Sequence, residues 1–323
     1  MRHNFIDIED FSAHELSELA VRAEFLKNTD LSSPIFMENK NKILALIFLE
    51  NSTRTRISFE IAAKKLGLTV IGFDSEKSSL EKGESIKDTV LTLKALGVNA
   101  IVLRASSASS INQVAKWIQI PVINAGNAMR SHPTQAIGDF ITIREAIKDR
   151  KFVDAGIASP DEFSKLKIGI VGDIIHSRVA RSLGELFEKF GASTYLIGPR
   201  ELLPRYDIGF PVKMITDDFG DCIQDLDIII ALRIQLERLR EPFLVNPINY
   251  RDRYGITKSL MADAKPTALV MHPGPQVRDL EIDSDIVDSD CSLILKQVEN
   301  SIYARMAVLS TALNIDIEGV MRK

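Results

Sequence analysis

The stretch Phe48-Leu49-Glu50-Asn51-Ser52-Thr53-Arg54-Thr55-Arg56-Ile57-Ser58-Phe59-Glu60 joins two kinds of pattern. Ile43 to Leu49 is a short apolar run with β-branched residues, the signature of a strand, while Ile57 to Leu66 has helical periodicity. The strand ending at Glu50 therefore turns into a helix, with Ser52 at the natural N-cap. A first helical turn offers unpaired N–H groups and the positive end of the dipole, so hydroxyls and a guanidinium placed there form a cradle for phosphate. Taken alone, the same five residues fit a capped helix with solvated arginines equally well.

Outward from this stretch the alternation continues. Strand-like runs at Val70 to Phe73, Ala100 to Leu103 and Pro121 to Ile123 are separated by helical segments, which predicts a parallel α/β sheet. A second series, Lys167 to Val171, Thr194 to Ile197, Lys213 to Ile215, Asp227 to Ala231 and Ala268 to Met271, predicts another. Thr134 to Lys148 reads as one helix, Asp154 to Ser164 as a surface loop, and Arg233 to Asn249, with two prolines and no period, as a mobile loop. Gln297 to Asn314 carries Ile302, Met306, Leu309 and Leu313 at helical spacing and is a long amphipathic helix. The expected organisation is a two-domain α/β protein, each domain a parallel sheet flanked by helices: residues 1–147, residues 148–296, and a terminal segment 297–323.

A chain of 323 residues with 45% hydrophobic and 26% charged residues can bury two ordinary cores and is not disordered. Its net charge of −4 argues against nucleic acid as a partner, so any anion site must be local. No apolar run is long enough for a bilayer, and the N-terminus MRHNFIDIEDFSAHEL is acidic where a signal peptide is basic and then apolar, so the expected location is the cytoplasm with no membrane contact. Cys222 and Cys291 lack any paired spacing, which indicates inert thiols with neither a disulfide framework nor a metal site. His3 and His14 read as surface residues.

Other residues fall at the same sheet edge as the phosphate cradle. Arg104 ends the strand Ala100 to Leu103, and His132-Pro133-Thr134-Gln135 begins the next helix with Pro133 suited to its first position. Singly, Arg104 fits a surface arginine and His132 a capping residue. Together, cations and amide donors at successive strand ends describe a pocket for a small phosphorylated carbonyl compound.

The paired motifs Ser52-Thr53-Arg54-Thr55-Arg56 and His132-Pro133-Thr134-Gln135-Ala136 resemble the carbamoyl phosphate signature of the aspartate and ornithine carbamoyltransferase family. The resemblance extends through Lys82-Gly83-Glu84-Ser85, Gly172-Asp173-Ile174-Ile175-His176-Ser177-Arg178, Leu232-Arg233-Ile234-Gln235-Leu236-Glu237-Arg238 and His272-Pro273-Gly274-Pro275, nearly the whole chain. Ornithine members usually carry a His-Cys-Leu-Pro loop and a lysine at the position of Glu50. This chain has neither, and two arginines, Arg178 and Arg233, suit an acceptor with two carboxylates. A dinucleotide-binding reading, prompted by Gly169 and Gly172 after a strand, lacks its third glycine.

The resemblance implies a division of labour. Ser52, Thr53, Arg54 and Thr55 would hold the phosphate of carbamoyl phosphate, and Thr55, Arg104 and His132 would converge on its carbonyl oxygen. Gln135 and the backbone carbonyls of Gly274 and Pro275 would position the carbamoyl amide. Arg178, Arg233 and Gln235 would fix the carboxylates of L-aspartate. Lys82, with Ser78 or Ser79, would arrive from a neighbouring chain, because the family forms trimers with shared sites. Neither cofactor nor metal is implied, His176 and His272 are given supporting roles, and the C-terminal helix in 297–323 is expected to return and pack on the first domain. Gly274–Pro275 is expected to be cis. Regulatory chains, or another enzyme of pyrimidine synthesis, are further partners the resemblance admits. Two departures stand out: Asn127-Ala128 replaces the family's usual Asp-Gly, and Gln276-Val277-Arg278-Asp279 replaces Met-Asn-Arg-Gly.

Overall fold

The computed structural model describes residues 4–30, 36, 38–50, 52–74, 83–107, 109–149, 151–152, 157, 159–205, 208–234 and 247–317. The chain divides into two compact units, Met1–Ile141 with Asn300–Lys323, and Thr142–Glu299. Both divisions fall inside helices, Pro133–Lys148 and Ile294–Ala312.

The first unit contains α1 (Ala13–Lys27), β1 (Ile43–Phe48), α2 (Thr53–Lys65), β2 (Thr69–Asp74), α3 (Ile86–Ala95), β3 (Ala100–Ala105), α4 (Ser110–Trp117), β4 (Val122–Asn127) and the start of α5 (Pro133–Lys148). Its four strands are parallel in the order β2-β1-β3-β4. Every residue of β3 and β4 is buried, as a parallel sheet covered on both faces requires. One layer of the core joins Ala45, Ile47, Ile101 and Leu103 of the sheet to Val90, Leu93, Ile111 and Val114 of the helices.

Helix α2 begins at Thr53, directly after the Ser52 N-cap expected from the sequence and one turn before the apolar period sets in at Ile57. The Ser52 carbonyl accepts from Arg56 N at 3.1 Å, so Thr53-Arg54-Thr55-Arg56 is the first turn itself. A turn made of hydroxyls and guanidiniums carries no apolar period, which is why the pattern hid it.

The second unit contains β5 (Lys167–Val171), α6 (Arg178–Lys189), β6 (Ser193–Ile197), β7 (Met214–Thr216), β8 (Ile228–Ala231), α7 (Pro247–Tyr254), α8 (Lys258–Asp263), β9 (Leu269–Met271), α9 (Ser284–Val287) and the start of α10 (Ile294–Ala312). These strands too are parallel, in the order β7-β6-β5-β8-β9. Two loop expectations need correction. Ser159 opens a helical turn over Pro160–Lys165 through a reciprocal capping box with Glu162, and Phe163 is buried beneath it. Pro247–Tyr254 is a helix, held by buried Tyr250 and Tyr254 with ring centroids 5.4 Å apart; residues 235–246 lie outside the described part.

Helix α10 runs on into the first unit and packs there. An added Cβ on Gly138 of α5 would lie 3.2 Å from Ser301 Cα, so the two helices meet closely at a glycine. Lys27 Nζ donates to Asn300 Oδ1 at 2.8 Å, and Lys42 Nζ donates to the Leu313 carbonyl at 2.8 Å. Among the described residues, no helix is long and apolar enough to cross a membrane. Cys222 is buried, and burial pushes its thiol up to about 11, which keeps it protonated and unreactive.

Candidate active site

Each sheet reverses its strand order once, between β1 and β3 in the first unit and between β5 and β8 in the second. Parallel sheets bind ligands outside the carboxyl ends of the strands at such a reversal. The candidate residues gather at both.

In the first unit, β1 delivers the chain to Ser52, the N-cap of α2. Its side chain makes no capping hydrogen bond, unlike Ser12, Ser85 and Ser177 at other helix starts. No acidic residue occupies the first turn of α2, so its N–H groups and dipole are left for an outside anion. Thr55 is buried, while Thr53 and Arg54 are exposed. Desolvation pulls the Arg54 guanidinium below its ordinary value, and it stays charged at neutral pH. Among the described residues Arg54 has no ion-pair partner. Arg56 turns elsewhere, its guanidinium lying against Gly72 of β2.

Arg104 faces Phe48 across the reversal. Its Nη1 donates to the Ala125 carbonyl at 3.4 Å, and its Nε lies 3.3 Å from Glu50 Oε2. Arg104 is thus braced from both sides while nearly all of it is buried. His132, also buried, precedes Pro133 at the head of α5, where its carbonyl accepts from Gln135 N at 3.0 Å and Ala136 N at 3.2 Å. The loop before it is fixed by Asn124, whose Nδ2 donates to Ser131 Oγ at 2.9 Å, and by Arg130, which pairs with Asp7 and Glu9. Gln135 Nε2 donates to Asp139 Oδ1 at 2.9 Å.

In the second unit, β5 leads to Gly172-Asp173 and then to Arg178 at the start of α6, while β8 leads to Leu232-Arg233-Ile234. Gly172 has φ of 120° and an added Cβ would come within 3.0 Å of the Leu232 carbonyl, so the two arginine-bearing loops touch where only glycine fits. Buried Asp173 accepts from His176 N at 3.3 Å and lies 2.7 Å from His176 Nδ1, which shapes the loop ahead of Ser177 and Arg178.

Glu281, also buried, ties the second of these loops to a third. One carboxylate oxygen accepts from Ile234 N at 3.1 Å and the other from Val277 N at 2.6 Å. Val277 follows Gly274–Pro275, which is cis as expected. His272 Nδ1 accepts from Gly274 N at 2.8 Å, so the neutral ring carries its proton on Nε2, 3.5 Å from Glu281 Oε2. Burial, then the charges of Glu281 and Asp173, raise Tyr250 far above the ordinary phenol range.

Two family models match the chain: the carbamoyl-P binding domain of aspartate/ornithine carbamoyltransferase over residues 3–145, and the Asp/Orn binding domain over residues 164–312. The chain belongs to the aspartate/ornithine carbamoyltransferase family. Relatives within it include the aspartate carbamoyltransferase catalytic subunits of Thermus thermophilus, 40% identical over 96% of this chain and 97% of that one, and Deinococcus radiodurans, 39% identical over 95% and 94%. Aspartate transcarbamoylase from Trypanosoma cruzi, solved with carbamoyl aspartate and phosphate, superposes with a TM-score of 0.82 at 26% identity, covering 95% of this chain and 94% of that one. Ornithine carbamoyltransferase from Pyrococcus furiosus superposes with a TM-score of 0.79 at 28% identity, covering 95% and 96%. Both acceptor classes thus share the carbamoyltransferase fold.

Against that family pattern, Ser52, Thr53, Arg54, Thr55, Arg104, His132 and Gln135 gather in the first unit, and Arg178, Arg233, Gly274 and Pro275 in the second. Lys82, Ser78, Ser79 and Gln235 lie outside the described residues. Both departures from the family's glycines keep a left-handed backbone: Ala128 has φ of 43° and Asp279 φ of 61°. Asp279 is eased by its side chain, which accepts from Ser284 N at 2.8 Å, a local bond that alanine cannot make. Sequence reasoning missed Glu281, Asp139 and Arg305. Asp139 and Arg305 are charged residues inside apolar helical stretches, while Glu281 stands in an acidic run that reads as a solvated face; all three are buried.

Proposed function

We propose that this chain transfers the carbamoyl group of carbamoyl phosphate to the amine of L-aspartate, giving N-carbamoyl-L-aspartate and phosphate, an early step of pyrimidine synthesis. The observation that carries the reading is the open N-terminus of α2, where Ser52 makes no capping hydrogen bond and Arg54 has no ion-pair partner among the described residues, beside the braced Arg104 and buried His132. Full-length similarity to aspartate enzymes, with Glu50 where ornithine enzymes have lysine, supports aspartate as acceptor.

The roles follow from charge. Ser52, Thr53, Arg54 and Thr55 hold the phosphate. As the amine attacks, negative charge grows on the carbonyl oxygen, and Thr55, Arg104 and His132 stabilise it. The N–C bond forms, the C–O bond to phosphate breaks, and the amine loses a proton. Gln135 with the carbonyls of Gly274 and Pro275 positions the carbamoyl nitrogen, and Arg178, Arg233 and Gln235 take the two carboxylates of aspartate. Most of the acceleration is orientation and charge stabilisation. An assay of ureido product with L-aspartate and L-ornithine offered separately tests the reading: turnover with aspartate is expected, and turnover with ornithine alone overturns the acceptor assignment.

The same reading makes the chain a homotrimer in which Lys82 serves a neighbour's site. Its support is an exposed apolar group, Ile57 and Ile61 one turn apart on α2 and Ile71 on the edge strand β2. Lys82→Ala and His132→Ala chains, each nearly inactive alone, should regain a substantial fraction of activity when dissociated and reassembled together. Confirmed mixed trimers as inactive as their parents would rule out the shared site.

A further inference from the structure

Behind the His132-Pro133-Thr134-Gln135 turn lies a charged cluster with no substrate role assigned. Asp139, one turn after Gln135 on α5, is fully buried, and its Oδ1 accepts from Gln135 Nε2 at 2.9 Å. Arg305, on α10, is almost fully buried as well. Its Nη1 donates to the Ser301 carbonyl at 2.9 Å, and its guanidinium carbon lies 5.1 Å from the Phe59 ring centroid on α2. Burial pulls Arg305 down to about 10, and the negative charge of Asp139 opposes that pull. Arg305 therefore remains a cation at neutral pH. One buried arginine packs against the helix that carries the phosphate cradle and lies in the field of the carboxylate that grips Gln135.

A glutamine amide has two nearly isosteric ends, one an acceptor and one a donor. Against a carboxylate only the donor end is attractive, since the amide oxygen would face a second negative oxygen. The contact thus selects one of two orientations. Gln135 Oε1 is left without a hydrogen-bond partner among the described residues, pointing an acceptor away from Asp139.

We propose that Asp139, supported by Arg305, is a positioning residue that holds the Gln135 amide with its oxygen toward the carbamoyl nitrogen, so that the site distinguishes a carbamoyl from an acyl group. This rests on the proposed function, in which Gln135 faces the carbamoyl amide. The nitrogen of carbamoyl phosphate donates hydrogen bonds, whereas the methyl group of acetyl phosphate, otherwise similar in shape, does not. Phosphate contacts are common to both ligands. Orientation of Gln135 therefore bears on one ligand only.

The test is the ratio of the two affinities, measured by titration calorimetry on the assembled protein. In Asp139→Asn the side chain can accept from or donate to Gln135, and the orientation is no longer imposed. Carbamoyl phosphate should weaken roughly tenfold, the worth of about one hydrogen bond, with acetyl phosphate almost unchanged. In a Gln135→Ala background, Asp139→Asn should cause no further loss of discrimination. Should Asp139→Asn leave Arg305 uncompensated and fail to fold, the double variant Asp139→Asn with Arg305→Met removes both buried charges and should show the same loss of discrimination. Equal weakening of both ligands, or an unchanged ratio, overturns the inference and leaves the proposed function standing. Failure of the native chain to bind carbamoyl phosphate overturns both.

Discussion

Ser52 and Ser177 occupy matching places: each follows the first strand of its unit's strand-order reversal and each opens the next helix. They are used in opposite ways. The Ser177 hydroxyl accepts from Ala180 N at 3.2 Å and closes the start of α6, leaving Arg178 to act through its side chain. Ser52 leaves α2 open, so backbone donors, hydroxyls and Arg54 face outward together. One topological position thus serves two chemistries: a phosphate calls for converging donors from the main chain, and a pair of carboxylates calls for separate guanidiniums on separate loops. The loops of the second unit then need fastening, which Glu281 and Asp173 supply from within. The first unit has its own fastenings, Glu50 on Arg104 and Asp139 on Gln135, but its phosphate donors at the start of α2 are set by the helix itself.

The sharpest way to break this comparison is Arg54→Ala. If the open helix start binds the leaving phosphate, turnover should fall on the order of a thousandfold or more with the melting temperature nearly unchanged, because Arg54 is exposed and has no ion-pair partner among the described residues. Turnover near the native rate at saturating carbamoyl phosphate would remove the basis for the contrast. Glu281→Gln addresses the fastened side. The amide can accept one of the two N–H groups but turns a donor toward the other, a cost of about 1–3 kcal/mol in stability, seen as a lower denaturant midpoint. KM for aspartate should rise while affinity for carbamoyl phosphate is kept; a loss confined to carbamoyl phosphate would contradict the assignment of that latch.

How much of this was legible in the sequence differs between the same two regions. The strands of both sheets and the cluster at α2 could be read because apolar runs and turn chemistry are local. Arg54, Arg104 and His132 could be placed at one edge because Arg104 sits at the end of a strand and the other two at helix starts that follow one. The fastening could not be read. Glu281 contacts Ile234 and Val277 through main-chain N–H groups that leave no trace in residue type, and Arg305 comes to Phe59, and into the field of Asp139, only because α10 returns to the first unit. The first turn of α2 shows in the sequence only through its Ser52 cap and not through an apolar period, because it lacks apolar residues, which is also what makes it useful.

Two finer predictions sharpen the contrast. Ser177→Ala should destabilise the protein by about 1 kcal/mol through the lost cap. Ser52→Ala should cost little stability and weaken phosphate binding instead, as read by parallel thermal melts and phosphate titrations; equal destabilisation by both would mean that Ser52 caps after all. Smallest is Ala128→Gly. A left-handed backbone costs an ordinary residue about 1–2 kcal/mol, and glycine's greater freedom in the unfolded chain offsets part of the relief. A net gain of roughly 0.5 kcal/mol is expected from chemical denaturation, and a loss would show that the alanine methyl makes contacts that outweigh the strain.

The return of α10 to the first unit also sets an order of events during synthesis. Residues 142–299 form a continuous unit and can fold once they have left the ribosome, whereas the first unit, though translated first, stays incomplete until residues beyond 300 emerge. At typical elongation rates of about 5–20 residues per second, that delay is on the order of ten seconds. Throughout it Asp139 has no Arg305 beside it, and the surface of α5 around Gly138 lies uncovered. The unit begun first is the unit finished last, and the nascent chain must be kept from aggregating through that interval.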